Sequence, residues 1–235
     1  MKKKKIELPG VITKDIWFYE DNKDQLEEHL GKPYISYSTV SSWAEYREDS
    51  IKQKITKLKS YSSTVYTELG NYLGEAVETG EFSKENPNGF TGQENLKLIP
   101  RPGNAEYEKF IVLDMGDYII IGFIDIFWET EEGVNICDLK TGGKKKEDTY
   151  KSADYIQVIL YARALERLGM KINSTSVWFV RRTGSHINPP LHISDEQFRI
   201  PLEYSKERVT FALDKVDKVV NEISNCLKVY NKIFK

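Results

Sequence analysis

The stretch of residues 106–142 constrains the fold most, because its apolar side chains follow one another as they do in buried strands. It reads EYEKFIVLDMGDYIIIGFIDIFWETEEGVNICDLKTG. Isoleucine, valine and phenylalanine dominate, as expected for strands with at least one buried face. Two short polar connections, at residues 115–117 and 129–133, interrupt the apolar runs. We therefore predict three consecutive strands joined by tight turns.

Segments with helical spacing surround these strands. Upstream, two helices are predicted, with Ser36 or Ser38 as the N-cap of the first and Gly80 as the C-cap of the second. Downstream, we predict a helix, a short strand, a proline-interrupted edge segment and a long amphipathic helix, at residues 150–168, 174–182, 186–203 and 205–235. This order predicts an α/β fold with a mixed central β-sheet flanked by helices.

The organisation of the chain suggests one domain. We predict an N-terminal extension over residues 1–35 and a single domain over residues 36–235 that ends in the long helix. The apolar stripe of that helix includes Val209, Val216, Val220 and Leu227. Such a stripe fits a helix that covers a sheet, and a coiled-coil dimer seam is the alternative.

Composition excludes several classes of protein. The 235 residues are 40% hydrophobic and 30% charged with a net charge of −2, which excludes a histone-like polycation but not a local basic patch. Cys137 and Cys226 are too few for a four-cysteine site, and His29, His186 and His192 are dispersed, so no zinc site is predicted. No signal peptide or membrane span is visible, and low cysteine usage suits a reducing cytosol, so we predict a cytoplasmic protein.

Three charged residues interrupt the predicted strands. Asp125 lies within IIIGFIDIF, and Asp138 and Lys140 lie within VNICDLKT. If these strands are antiparallel neighbours, the two carboxylates lie close together and repel each other unless a cation separates them. Mg²⁺ prefers such oxygen ligands, and residues two apart on a strand share a face, so Lys140 lies beside Asp138. The alternative is a simple ion pair between Asp138 and Lys140.

A polar pair in the next helix adds to this signal. Gln157 and Tyr161 are four residues apart in an apolar segment and therefore share a helix face. Together with Gly122-Phe123-Ile124-Asp125 and Asp138-Leu139-Lys140-Thr141-Gly142, the sequence resembles the PD-(D/E)xK nuclease superfamily in its RecB-like branch. That branch includes exonucleases of phage and of CRISPR adaptation. The resemblance is dense over residues 106–165 and implies a restriction-endonuclease-like core.

The resemblance also implies roles for these residues. Asp125, Asp138 and the Leu139 carbonyl would hold Mg²⁺ or Mn²⁺. Lys140 would position the attacking water, and Gln157 and Tyr161 would support the site. The implied activity is metal-dependent hydrolysis of DNA phosphodiesters in recombination, repair or phage DNA metabolism. A helicase or recombination partner would be a separate chain, and a phage-encoded enzyme would act in the host cytoplasm.

The sequence departs from the family pattern in two places. Where RecB-like members have a helix of the form G-x-x-x-H-x-x-x-E, this chain has Gly74 at the histidine position, and Glu75 or Glu78 would have to serve as the ligand. The interior glycine costs about 1 kcal/mol relative to alanine and could mark a close backbone approach. The four cysteines that hold an iron–sulfur cluster in some members have no counterpart, so no cluster is predicted.

Basic residues near the motifs are candidates for contacts with nucleic acid. Lys144, Lys145 and Lys146 follow the D-x-K strand, and Arg181 and Arg182 end the next strand. The alternative for the lysines is a solvated loop. Two other functions stay open: a nucleic-acid-binding module with weak or no catalysis, and a structure-specific endonuclease.

Overall fold

The computed structural model of the protein describes residues 5–60, 63–81, 89–185 and 190–234. His186 lies outside these residues. The chain divides into two compact units, each made of separate stretches. The first unit comprises Met1–Tyr61, Phe110–Phe123 and Val209–Lys235, and the second comprises Ser62–Lys109 and Ile124–Arg208.

A mixed sheet is the central element of the described chain. Its seven strands are β1 Gly10–Val11, β2 Pro33–Ser36, β3 Glu106–Asp114, β4 Ile119–Thr130, β5 Gly133–Gly142, β6 Ile172–Thr183 and β7 His192–Leu202. They follow the order β1-β2-β4-β5-β6-β7, with β3 paired to β4. The pairs β2–β4 and β5–β6 are parallel, whereas the pairs β1–β2, β4–β5 and β6–β7 are antiparallel.

Helices flank this sheet, which confirms the predicted α/β class. They are α1 Lys23–Leu26, α2 Tyr37–Glu45, α3 Arg47–Ser50, α4 Val65–Thr79, α5 Lys144–Lys151, α6 Gln157–Arg167 and α7 Lys206–Phe234. Within the part of the chain that the structure describes, no helix combines the length and the apolar character that crossing a membrane requires.

The helix ends show why some predicted boundaries were right and others wrong. Ser36 caps α2 by accepting a hydrogen bond from the Thr39 N–H at 3.4 Å, and Gly80 ends α4 in a left-handed conformation with φ of +78°. The first predicted helix is interrupted at Tyr46, whose φ and ψ of −135° and 58° are not helical. The helix predicted from residue 150 begins only at Gln157, and α5 precedes it as a separate helix.

The first unit has its own apolar core. Phe18, Tyr19 and Leu26 pack there with Phe110 and Ile119. Val216, Val220 and Ile223 of the predicted α7 stripe are buried. β1 and β2 were not predicted, because two and four residues are too few to show a period. The predicted boundary at residue 35 stays a prediction, although β2 ends just beyond it.

The second unit is built around one buried face of α4. Leu69, Tyr72, Leu73, Ala76 and Val77 of that helix join a core that also includes Ile126 and Cys137. These α4 residues recur at intervals of three and four, so they occupy one side of the helix. The other side of α4, with Gly70, Gly74, Glu75 and Glu78, is left to line a cavity.

Candidate active site

The ladder between β4 and β5 brings the two aspartates together. Ile126 pairs with Cys137 in antiparallel register, and Asp125 and Asp138 are the next residues along the two strands. The backbone N–H of Leu139 donates to Asp125 Oδ2 at 2.5 Å. The predicted antiparallel pairing and the closeness of the two carboxylates are therefore present.

Asp138 is the most buried charged group of the site. Its residue is 1% exposed, and its Oδ2 lies 2.6 Å from Lys140 Nζ and accepts a 2.6 Å hydrogen bond from Tyr155 Oη. Lys140 Nζ also donates to the Leu139 carbonyl at 3.4 Å. Asp138 and Lys140 thus contact each other on one face of β5, as the spacing of two predicts.

The electrostatics of this group follow from burial and from neighbouring charges. Burial raises the pKa of Asp125, and the charge of Asp138 raises it further, while Lys140 opposes both effects. Burial lowers the pKa of Lys140, but attraction by Asp138 and Asp125 outweighs burial and raises it. Lys140 therefore keeps its positive charge beside the two aspartates.

A chain of polar contacts continues from Asp138 into the interior. Tyr155 Oη also lies 2.9 Å from Gln157 Oε1, and Gln157 Nε2 donates to Tyr161 Oη at 3.0 Å. Gln157 and Tyr161 are 9% and 4% exposed. The predicted supporting pair thus reaches Asp138 through Tyr155, which the sequence patterns did not single out as a site residue.

A cavity of about 610 Å³ opens over Asp125, Leu139 and Lys140. Thr141 and Glu108 also line the cavity. The remaining wall is a face of α4, made of Tyr66, Thr67, Gly70, Asn71, Leu73, Gly74, Glu75 and Glu78. A second cavity, of about 660 Å³, lies within the first unit and contains none of the predicted site residues.

The two α4 glutamates that could replace a histidine ligand both line this cavity and are exposed. The expected close backbone approach at Gly74 is wrong. The nearest atom to a Cβ at this position would be Glu108 Oε1, at 4.0 Å. Gly74 therefore leaves open space beside Glu108, a residue that sequence reasoning missed because Glu106 and Glu108 look alike in the strand pattern.

The chemistry of the donors fits a hard divalent cation. Among the described residues, no group of three or more His, Cys, Asp or Glu side chains comes close enough to form a metal site. However, Asp138 Oδ1 is buried without a hydrogen-bond partner. A buried carboxylate oxygen is costly unless a hydrogen-bond donor or a cation contacts it. Asp125, Asp138 and the Leu139 carbonyl supply the oxygen ligands that Mg²⁺ and Mn²⁺ prefer.

The predicted nucleic-acid residues have different environments. Lys144, Lys145 and Lys146 are exposed in the first turn of α5, a helix rather than the alternative loop. Arg181 pairs with Glu147 at 3.0 Å and with Glu196, so its charge is already engaged. The Arg182 guanidinium lies 4.1 Å from the ring centre of Tyr66, which lines the cavity. Their roles in binding stay predictions.

Both cysteines are free thiols. Cys137 is buried beside Asp138, and burial raises the pKa of its thiol to about 12, so the thiol stays protonated. Cys226 is partly buried in α7.

The mixed sheet, with Asp125 on one strand and the D-x-K motif on its antiparallel neighbour, is consistent with the fold of PD-(D/E)xK nucleases. The chain belongs to the PD-(D/E)XK nuclease superfamily, whose sequence profile matches residues 50–229. None of the curated proteins matches the chain.

A solved structure resembles this chain in fold. A "putative exonuclease" from Eubacterium rectale aligns over 96% of this chain and 88% of its own, with 14% identity and a TM-score of 0.53. SSO0001 aligns over 88% of both chains with 17% identity and a TM-score of 0.38.

Proposed function

We propose that this protein is a Mg²⁺- or Mn²⁺-dependent deoxyribonuclease of the RecB-like type that hydrolyses DNA phosphodiester bonds. The observation that carries the proposal is the cluster of Asp125, Asp138 and Lys140 beneath the 610 Å³ cavity. Membership of the superfamily supports nucleic-acid hydrolysis, and the metal, the DNA substrate and the mode of cleavage are the parts proposed.

Each residue of the cluster has a separate task. Asp125, Asp138 and the Leu139 carbonyl would hold the divalent ion, with Glu75 or Glu78 as a further ligand from α4. The ion, when bound, supplies Lewis-acid polarisation of the scissile phosphate and acidifies water. Lys140 places a positive charge at the cavity, where it orients the attacking water and stabilises negative charge that develops on the phosphate.

The buried residues keep this geometry fixed. Tyr155 holds Asp138 Oδ2, and Gln157 and Tyr161 extend the contacts. Preorganised groups stabilise a transition state because they need no rearrangement during the reaction. The exposed Lys144, Lys145 and Lys146, with Arg182, would bind phosphates of the DNA strand.

We propose exonuclease or end-processing activity, in recombination, repair or phage DNA metabolism. The description of the Eubacterium rectale neighbour as an exonuclease suggests this mode, although the likeness extends only to the fold. A separate helicase or recombination protein would be the partner, and the cytoplasm the place of action.

One assay tests the proposal. The protein is incubated with linear and with covalently closed DNA, in Mg²⁺, Mn²⁺ or a chelator, alongside Lys140→Ala. Metal-dependent degradation of linear DNA only, lost in Lys140→Ala, is the expected result. Cutting of closed circles would indicate an endonuclease instead. DNA binding without cleavage in either metal would identify a binding module and overturn the enzyme proposal.

A further inference from the structure

Glu108 adopts a backbone conformation that its residue type disfavours. Its φ of +48° is left-handed, and among the described residues only Lys57 and Glu108 are non-glycine residues with positive φ. Such a conformation is strained for a side chain with a Cβ and persists where the surroundings impose it. The strain lies in β3, a strand in which extended backbone is the rule, and functional sites are where strain of this kind concentrates.

Glu108 lies at the cavity that Asp125 and Lys140 also line. Outside α4's own backbone and the residues next to Gly74, Glu108 Oε1 is the one described atom within 4 Å of the place where a Gly74 side chain would begin. The absence of a side chain at Gly74 therefore leaves space beside the Glu108 carboxylate.

The negative charges around Glu108 are not fully balanced by the positive charge of Lys140. Partial burial raises the pKa of Glu108, and repulsion by Glu78 and Asp138 raises it further, while Lys140 opposes the rise. Lys140 is already held by Asp138 Oδ2 at 2.6 Å. Asp138 Oδ1 stays buried without a hydrogen-bond partner, in a residue that is 1% exposed. An additional cation would relieve the repulsion and satisfy this oxygen.

We propose that Glu108 is a ligand of the divalent ion held by Asp125 and Asp138. The inference rests on the proposed function for the ion itself, and it assigns the third carboxylate to β3 rather than to α4. Because the three carboxylates do not lie close enough together to form a metal site in the described structure, the Glu108 side chain would move toward the aspartates when the ion binds. Glutamate oxygens are hard ligands suited to Mg²⁺ and Mn²⁺, so the strained backbone of Glu108 directs a suitable ligand into the cavity.

The test measures Mn²⁺ binding without DNA, by isothermal titration calorimetry and by the loss of the free-ion EPR signal. Glu108→Gln removes the charge and keeps the shape. Glu106→Gln is the matched control, because Glu106 is exposed on the same strand and pairs with Lys109 at 2.6 Å. We expect Glu108→Gln to weaken Mn²⁺ binding by about tenfold or more and Glu106→Gln to change it less than twofold.

A second variant separates metal binding from folding. Glu108→Gly suits a φ of +48° and should raise the thermal midpoint while it weakens Mn²⁺ binding as much as Glu108→Gln. Adding Gly74→His to Glu108→Gln offers an imidazole ligand at a position with space for a side chain, and we expect partial recovery of binding.

The outcomes distinguish this inference from the proposed function. If Glu108→Gln binds Mn²⁺ as tightly as the native protein while Asp138→Asn does not bind, Glu108 is no ligand and the metal-dependent nuclease stands. If Glu78→Gln alone weakens binding, the ligand comes from α4 and the inference is wrong. If the native protein binds no Mn²⁺, the metal-dependent function and the inference both fail.

Discussion

The two sides of the candidate site differ in burial and in how their polar groups interact. The buried side consists of Asp138, Tyr155, Gln157 and Tyr161, none more than 9% exposed. The open side consists of Gly70, Gly74, Glu75, Glu78 and Glu108, which line the cavity. On the buried side each polar residue contacts the next, whereas on the open side acidic groups repel one another.

This difference separates the residues that fix the geometry of the site from the residues that can bind a ligand. Leaving a buried polar group unpaired costs about 1–3 kcal/mol, so the buried side is fixed by its own hydrogen bonds. Exposed carboxylates are solvated by water at little cost and remain accessible to a ligand. The comparison predicts that changes on the buried side alter folding and catalysis together, while changes on the open side alter them separately.

The largest loss of cleavage activity is expected from Asp138→Asn, because Asp138 belongs to the buried side and is also a proposed ligand of the ion. The amide still accepts a hydrogen bond from Tyr155 but no longer binds a divalent ion well. We expect cleavage of linear DNA in Mg²⁺ to fall by about 10³-fold, equivalent to about 4 kcal/mol of transition-state stabilisation. Single-turnover rates measure it, and Asp214→Asn, at an exposed position in α7, is the control. Cleavage within tenfold of the native rate would remove Asp138 from the catalytic group.

Tyr155→Phe tests whether the buried side positions the aspartate. The change deletes the 2.6 Å hydrogen bond to Asp138 Oδ2 and leaves the ring in place. Hydrogen bonds to charged groups contribute about 1.5–3 kcal/mol, so we expect the free energy of unfolding to fall by about that amount. We also expect cleavage to slow about tenfold, since the carboxylate loses its fixed orientation.

Tyr204→Phe is the matched control for Tyr155→Phe. Tyr204 Oη donates to Glu166 at 2.8 Å, which is the same chemistry at an exposed position. We expect a loss of at most a few tenths of a kcal/mol in urea unfolding and an unchanged cleavage rate. Equal losses in the two variants would mean that burial of the Asp138 contact contributes nothing.

Gly70→Ala tests, through the free energy of unfolding, whether α4 faces open space on this side of the site. No atom lies within 4 Å of a Cβ at Gly70, and an interior helix glycine is about 0.5–1 kcal/mol less stable than alanine. We therefore expect Gly70→Ala to raise the free energy of unfolding by about 0.5–1 kcal/mol. Gly80→Ala, at φ of +78° and against Arg101, should instead destabilise the same helix. Destabilisation by Gly70→Ala would show that α4 does not face open space there.

The sequence predicted the two sides unequally, for physical reasons. Asp138 with Lys140, and Gln157 with Tyr161, follow the strand and helix periods, which are local rules. Tyr155 contacts Asp138 from a position 17 residues away, just before α6 begins, where neither period applies. Glu108 differs from Glu106 only through a left-handed φ that the residue type opposes.

The fold, like the site, was predictable from the sequence only where a local or periodic signal exists. β3, β4 and β5 are long enough to show their apolar pattern, and the helix caps at Ser36 and Gly80 are local signals. α5 has the sequence KKKEDTYK, which contains no apolar stripe, and none of its residues is buried. A helix with no buried face leaves no periodic signal, so its existence could not be derived from hydrophobic spacing.

Among the variants of the buried side, the smallest effect on cleavage is expected from Tyr161→Phe, at the far end of that side. Its hydroxyl accepts a 3.0 Å hydrogen bond from Gln157, and burial raises the pKa of Tyr161, so the group stays a neutral phenol. Neutral hydrogen bonds contribute about 0.5–1.5 kcal/mol, and Gln157 is left with one partner fewer. We expect a loss of about 1 kcal/mol in urea unfolding and a cleavage rate within about threefold of native, since two residues, Tyr155 and Gln157, lie between Tyr161 and Asp138. A tenfold slower rate, matching Tyr155→Phe, would show that the three residues act as one unit, because an effect confined to each contact should weaken along the chain.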